Sequence, residues 1–202
     1  MTALETRRPG RPAAASREDV LRATVARFLA CERVDMQGLA RELGLARATM
    51  HRWFGTREEL LGEAIAGLAE RRLAAIRDGV DGVGAPALLE CFDRFNRELA
   101  ATPGLGALLH HEQARGLRIL TSSGGIVQPR SVAGIQGLIE AEMRTGAFTS
   151  EIRAGTLAYA IVRLAESFLF NDARFGIRGD TERLREVEAA LLGIEPGAPV
   201  RV

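Results

Sequence analysis

The sequence predicts an all-α protein, and three observations carry that reading. Ala, Leu, Gly and Arg dominate while aromatics make up only 5% of 202 residues, a mix that favours helices packed through small and aliphatic side chains over stacked strands. Apolar residues recur three and four positions apart through most of the chain, the period of a helix with one buried face. Capping residues and glycines then divide the chain at intervals that fit helices rather than hairpins.

The elements follow in order. Residues 1–15 read as a flexible basic arm, because Pro9, Gly10 and Pro12 between Arg7, Arg8 and Arg11 exclude a regular helix. Ser16, with Glu18 and Asp19 behind it, opens a helix whose Val20, Leu21, Val25, Phe28 and Leu29 share a face to about Ala30,. Asp35 caps a short second helix through Met36, Leu39, Ala40 and Leu43, and Gly44 stands where a left-handed terminating residue belongs,. A third runs from Arg47 to Phe54, with Met50 and Phe54 inward and Arg47, Ala48, Thr49, His51 and Arg52 outward,. Thr56 caps a fourth that continues to about Ile76,. After the Gly-rich break at 77–86, helices are predicted near 87–101, 104–118, 129–145, 151–173 and 180–192,.

Charge is nearly balanced, at +1, but unevenly placed. Residues 1–61 hold eleven Arg against eight Asp and Glu, and 62–202 hold sixteen against eighteen. Every basic side chain is Arg, which keeps its charge and offers a planar fork to phosphates,. Two cysteines, Cys31 and Cys91, are too few for a disulfide scaffold, and the first residues lack the apolar core of a secretory signal, so a reducing cytoplasm is the expected location,. The most apolar run, TLAYAIVRLAESFLF, is interrupted by Arg163 and Glu166, which argues against a membrane span,.

Two short helices joined by a tight turn at Gly44, the second exposing small and basic residues, are the parts of a helix-turn-helix reader of the DNA major groove. Small side chains such as Ala48 permit close approach, while Arg47, Thr49 and Arg52 supply donors to base edges and phosphates. His51 and Trp53 carry ring N–H groups that could reach a phosphate or could simply pack.

GLARATMHRWFGTREELL, eighteen positions without a gap, resembles the TetR-family signature of Gly-Val-Ser, a small residue, Thr-Leu-Tyr, an aromatic pair, Ser-Lys-Glu and Leu-Leu. The resemblance implies that Arg47, Ala48 and Thr49 stand at the exposed start of the recognition helix. It implies that His51 and Trp53 occupy the places of phosphate-contacting aromatics, and that Arg57 takes the place of a basic residue at the head of helix 4. Ala46 departs from the usual Ser, His51 from the usual Tyr, and the loop before helix 2 is shorter than the family's. The segments GRPAAASRE, VDMQGLARELGLARATMHRW and LAYAIVRLAESFLF are further similar to the QsdR-like subgroup, which implies a lactone or related signal as effector. The arm, through Arg8 and Arg11, resembles Arg-Gly-Arg-Pro cores that enter narrow minor grooves, with a solvated tail as the alternative.

The organisation implied is an arm at 1–15, a DNA-binding unit at 16–61 and an effector-binding, dimerising body at 62–202. Its partners would be a near-palindromic double-stranded operator, a small apolar effector and a second copy of the chain. Apolar stripes at Leu157, Ile161, Leu164 and Phe168, and at Leu184, Val187 and Leu191, make the last two helices the candidate dimer interface,. Candidate effector residues are Phe92, Phe95, Asn96, His110, His111, Gln113, Tyr159, Arg163, Glu166 and Asn171,. Arg163 and Glu166, three apart among apolar neighbours, read first as a structural ion pair and second as a polar anchor.

Enzymatic signatures are missing from the sequence. His110, His111 and Glu112 point about 100° apart on a helix and cannot converge on one metal ion. No nucleophile elbow or phosphate-cradling glycine motif occurs, and no metal or cofactor is implied. Cys31 and Cys91 read as packed thiols before oxidant sensors. The rival is a small helical enzyme or ligand carrier with a vestigial helix-turn-helix.

Overall fold

The computed structural model describes residues 15–170 and 179–194, so the predicted arm, with Arg8 and Arg11, and the candidate Asn171 lie outside the described residues. Ten helices and no strand occur among the described residues: α1 Arg17–Leu29, α2 Met36–Glu42, α3 Arg47–Phe54, α4 Arg57–Asp78, α5 Gly84–Ala101, α6 Pro103–His111, α7 Gln113–Thr121, α8 Val127–Arg144, α9 Ala154–Phe170 and α10 Thr181–Leu191. No helix among them is long and apolar enough to cross a membrane.

The predicted starts are chemical. Ser16 and Asp19 form a reciprocal capping box on α1, Thr56 and Glu59 another on α4, and Asp35 accepts from the amides of Gln37 and Gly38,. Gly44 takes the left-handed φ of +64° that ends the second helix,.

Two predicted boundaries move. The helix expected at 104–118 is two helices, α6 and α7, broken at Glu112, whose φ of −135° and ψ of 46° leave the helical region. Glu112 is held there by Arg57, and a Cβ on Gly116 would sit 3.1 Å from Leu108 Cγ, so a glycine lets α7 fold back on α6. The Gly-rich break also shrinks, because α5 begins at Gly84 rather than near 87. Buried Glu142 explains it: one carboxylate oxygen accepts from the Gly84 amide and the other from Arg77, both at 2.7 Å, stapling the α4–α5 connection to α8.

The core forms two connected regions around α4. One joins Val20, Phe28, Leu39, Met50 and Phe54 of the first three helices to Leu61 and Ile65 of α4, Leu105 and Leu108 of α6, and Ile119 and Leu120 of α7. The other packs Leu73 and Ile76 of α4 against Leu88 and Phe92 of α5, Ile135 and Ile139 of α8, and Leu157 and Ile161 of α9. Burial on this scale, at about 25 cal/mol per Å² of apolar area, is the main force holding the helices in register. The N-terminal helices therefore rest directly on α6 and α7 of the body.

Candidate nucleic-acid interface and body cavity

Helix α3 presents one face outward because Met50 and Phe54, four residues apart, are fully buried beneath it,. Arg47, Ala48, His51 and Arg52 are exposed and Thr49 is half-buried. Arg47 and Arg52 have no ion-pair partner among the described residues, leaving their guanidinium groups available. Ala46 caps α3 with no side-chain hydrogen bond, so the first amides of α3 have no side-chain acceptor, and the helix dipole adds positive potential there.

The aromatic positions differ in role. His51 Nδ1 lies 2.9 Å from the Gly55 carbonyl, which only accepts, so the proton sits on Nδ1. The neutral ring then offers Nε2 as an acceptor, toward which Arg47 Nε donates at 3.4 Å; a phosphate contact through Nε2 requires the doubly protonated ring. Trp53 is half-buried against the N-terminal core, edge-on to Phe54 with ring centroids 6.3 Å apart.

Arg57 is not displayed on the surface that α3 offers. Its Nη1 and Nη2 donate to the two Glu112 oxygens at 2.9 and 2.7 Å, and its Nε donates to the Val34 carbonyl at 2.8 Å. The guanidinium beside Glu112, with help from Arg115, holds that carboxyl below its usual range,. Arg115 also pairs with Glu58 at 2.9 Å and Arg118 with Glu58 at 3.3 Å, and Gly104 sits so near α1 that a Cβ would lie 2.2 Å from the Phe28 carbonyl oxygen. These contacts join the α1–α4 unit to α6 and α7.

Between α4 and α10, with all seven helices contributing, lies a cavity of about 60 Å³, walled by Ile65, Phe92, Leu105, Val127, Ile161 and Phe170 among others. Among the described residues its polar wall groups are Asn96, Ser131, Glu166 and Glu188. Asn96 Nδ2 donates to both oxygens of fully buried Glu188 at 3.0 and 3.2 Å. Burial pushes Glu188 up to about 8, against the pull of Asn96, and Glu166 up to about 7, against the pull of Arg163,. A wider hollow at the surface shares Ile65, Ala69, Phe95, Leu99 and Leu105 with the cavity and leads toward α1.

Of the predicted effector residues, Phe92, Phe95, Asn96 and Glu166 meet at this cavity. His110, His111, Gln113 and Tyr159 do not: the first three lie on exposed stretches of α6 and α7, and Tyr159 faces outward from α9, 52% exposed. Arg163 is also outside it, donating to Glu166 at 2.5 Å and to the Thr121 carbonyl at 3.1 Å. Its first reading, an ion pair, is the observed one. Cys91 is buried, and burial pushes its thiol up; Cys31 is exposed rather than packed, in a left-handed backbone with φ of 58°. Sequence reasoning missed Glu188, although a charged residue four positions after Leu184 on an apolar stripe was a usable signal.

A family profile described as "Tetracyclin repressor-like, C-terminal domain" matches residues 83–193, more than half of the chain. The chain belongs to the TetR family. Among solved structures it is similar to the TetR-family transcriptional repressor QsdR of R. erythropolis, at 26% identity and TM-score 0.80, covering 90% of this chain and 96% of that one. It shares its fold with the TetR-family repressor AlkX of Dietzia sp., at 23% identity and TM-score 0.60, covering 89% of this chain and 99% of that one. No curated protein matches by sequence. The all-α fold, with an N-terminal helix-turn-helix and a helical body, is thus that of a TetR-family transcriptional regulator.

Proposed function

We propose that the protein is a homodimeric, cytoplasmic repressor without enzymatic activity that binds a near-palindromic operator and releases it when a small apolar effector enters the body. The observation that carries the reading is the α3 face: Arg47, Ala48, His51 and Arg52 stand exposed on a helix that Met50 and Phe54 fix from below. In this reading residues 16–61 contact DNA and 62–202 take the effector and dimerise. Similarity to a repressor, QsdR, supports the sign of control.

A two-fold dimer places two recognition helices about 34 Å apart, or a multiple of it, along one face of DNA. Leu157, Ile161 and Leu184 are used in the protomer's own core, so the apolar surface that α9 and α10 keep for a partner copy comes from exposed Tyr159 and Val187 and from half-buried Leu164, Phe168 and Leu191. Effector and DNA are linked through two helices that line the cavity and brace α1 and α4, the helices on either side of the reading unit. Leu105 of α6 and Leu120 of α7 line the cavity, while Gly104 abuts α1 and Arg115 and Arg118 hold α4. A coupling of about 1–3 kcal/mol in that linkage changes operator affinity roughly 5- to 150-fold.

The test is footprinting of purified protein on DNA from around its own gene, followed by titration of the complex with lactones and other small apolar molecules. A protected near-palindrome that an apolar molecule releases is the expected result. Indifference to sequence would return the rival reading, a ligand carrier or enzyme with a vestigial helix-turn-helix.

A further inference from the structure

We propose that His51 is a positioning residue for Arg47: its neutral ring holds the guanidinium so that one edge remains for a base, and a second proton on the ring releases the guanidinium and offers both side chains to phosphates. The inference rests on the α3 reading above and adds its regulation, a loss of base discrimination as pH falls.

Two hydrogen bonds in series carry it. Gly55 ends α3 with a positive φ of 65°, and its carbonyl, which can only accept, lies 2.9 Å from His51 Nδ1,. That bond keeps the proton on Nδ1 and leaves Nε2 as an acceptor for Arg47 one turn earlier, whose Nε donates at 3.4 Å,. An arginine has two edges with paired N–H groups, and one of them includes Nε. With Nε spent on His51, the edge left is Nη1 with Nη2, a pair that meets guanine O6 and N7 bidentately. Both side chains are exposed, and Arg47 has no ion-pair partner among the described residues to compete for that edge.

A second proton takes the Nε2 lone pair. The ring then no longer accepts from Arg47 and carries a like charge four residues away on the same helix face. Nε2–H becomes a donor to phosphate oxygens, and so does the freed Nε of Arg47. Imidazole is the side chain that takes up such a proton between about pH 5 and 8.

The charged groups on the elements packed against α3 are largely engaged elsewhere. On α4, Glu59 accepts from Thr56, Glu58 pairs with Arg115 and Arg118, and Arg57 forks onto Glu112. On α2, Glu42 pairs with Arg27, and Arg41 has no ion-pair partner among the described residues. On α1, Arg17 lies over the Phe54 ring and pairs with Glu63. The charges of α3 itself are Arg47 and Arg52.

The experiment is fluorescence anisotropy of the full chain on the footprinted site and on scrambled DNA, at pH 5.5 and pH 8 and constant ionic strength. The proteins are wild type, His51→Gln and His51→Leu, each also in an Arg47→Ala background. Between pH 8 and pH 5.5 wild type is expected to lose about tenfold of its site-to-scrambled ratio, the scale of one bidentate base contact. Over the same change it binds scrambled DNA more tightly, with a salt slope steeper by about one phosphate per protomer. His51→Gln, whose amide oxygen can accept where Nε2 does and gains no proton, keeps the high ratio at both pH values. His51→Leu gives the low ratio at both, with no gain on scrambled DNA. In the Arg47→Ala background neither pH nor the His51 substitutions change the ratio further, an outcome that a merely structural role for His51 would not give. His110, His111 and the buried carboxyls are common to every variant, so differences between variants isolate His51. A wild-type ratio that ignores pH, a His51→Gln slope equal to that of wild type, or full discrimination by His51→Leu overturns the proposal. If the His51 variants do not fold, the pH profiles of wild type and Arg47→Ala decide alone. Site-specific binding without these signatures sinks this inference and spares the regulator reading; binding indifferent to sequence at both pH values sinks both.

Discussion

Replacing Glu112 by Gln removes the acceptor charge from the Arg57 fork while keeping the side chain's size. Two charge-assisted hydrogen bonds are weakened, and such bonds contribute about 1.5–3 kcal/mol each when shielded. The two side chains are 22% and 25% exposed, so solvent screening draws the figure toward the value of about 0–1 kcal/mol typical of surface pairs,. The retained amide oxygen still accepts one bond, and the expected loss is about 1–2 kcal/mol. Trp53, the only tryptophan, sits in the N-terminal unit that Arg57 braces, so urea unfolding followed by its fluorescence reads the effect at fixed protein concentration,. The pH dependence has a definite sign. Glu112 is held below its ordinary 4.5, first by Arg57, so the pair's contribution is present above that value and lost as pH falls through the lower folded one. The gap between wild type and Glu112→Gln should close in acid, and Arg57→Met combined with Glu112→Gln should cost less than the sum of the two singles. A gap under about 0.3 kcal/mol at pH 7, or one that does not change in acid, would mean that the Arg57–Glu112 pair does not brace the N-terminal unit.

Three other outcomes follow from the same contacts. Ala46→Ser supplies the cap that α3 lacks and should raise stability by about 0.5–2 kcal/mol, seen as a higher Tm,. Gly104→Ala drives a methyl into the Phe28 carbonyl and should cost about 1–3 kcal/mol in urea unfolding, whereas Gly106→Ala, in open space on the same helix, should be neutral or stabilising,. Glu188→Gln tests the buried acid: its folded value of about 8 stands above the ordinary 4.5, so wild-type stability falls between those pH values, and the variant should lose that slope in a pH series of melts,.

The N-terminal half was legible because its signals are local. Ser16, Asp35 and Thr56 each cap by bonding amides two or three residues on, and Met50 with Phe54 needs only the helical period to be placed. The body depends on partners far apart in sequence. The break at Glu112 comes from Arg57, fifty-five positions away, and the early start of α5 from Glu142, fifty-eight away. For the cavity, Phe92, Phe95, Asn96 and Glu166 could be picked out as aromatic or polar residues on apolar helices. His110, His111, Gln113 and Tyr159 carry the same chemistry on faces that point to solvent, and composition cannot tell one from the other.

Whether the α3 face reads a DNA sequence is measured by fluorescence anisotropy. Wild type and Arg47→Ala would be titrated with the footprinted site and with scrambled DNA across a range of salt. Wild type should prefer its site by about 10³-fold or more, with affinity falling steeply as salt rises. Arg47→Ala should bind scrambled DNA nearly as before yet lose about 1–3 kcal/mol of discrimination. Equal binding of wild type to site and scrambled DNA, or a specificity ratio that Arg47→Ala leaves intact, would contradict it.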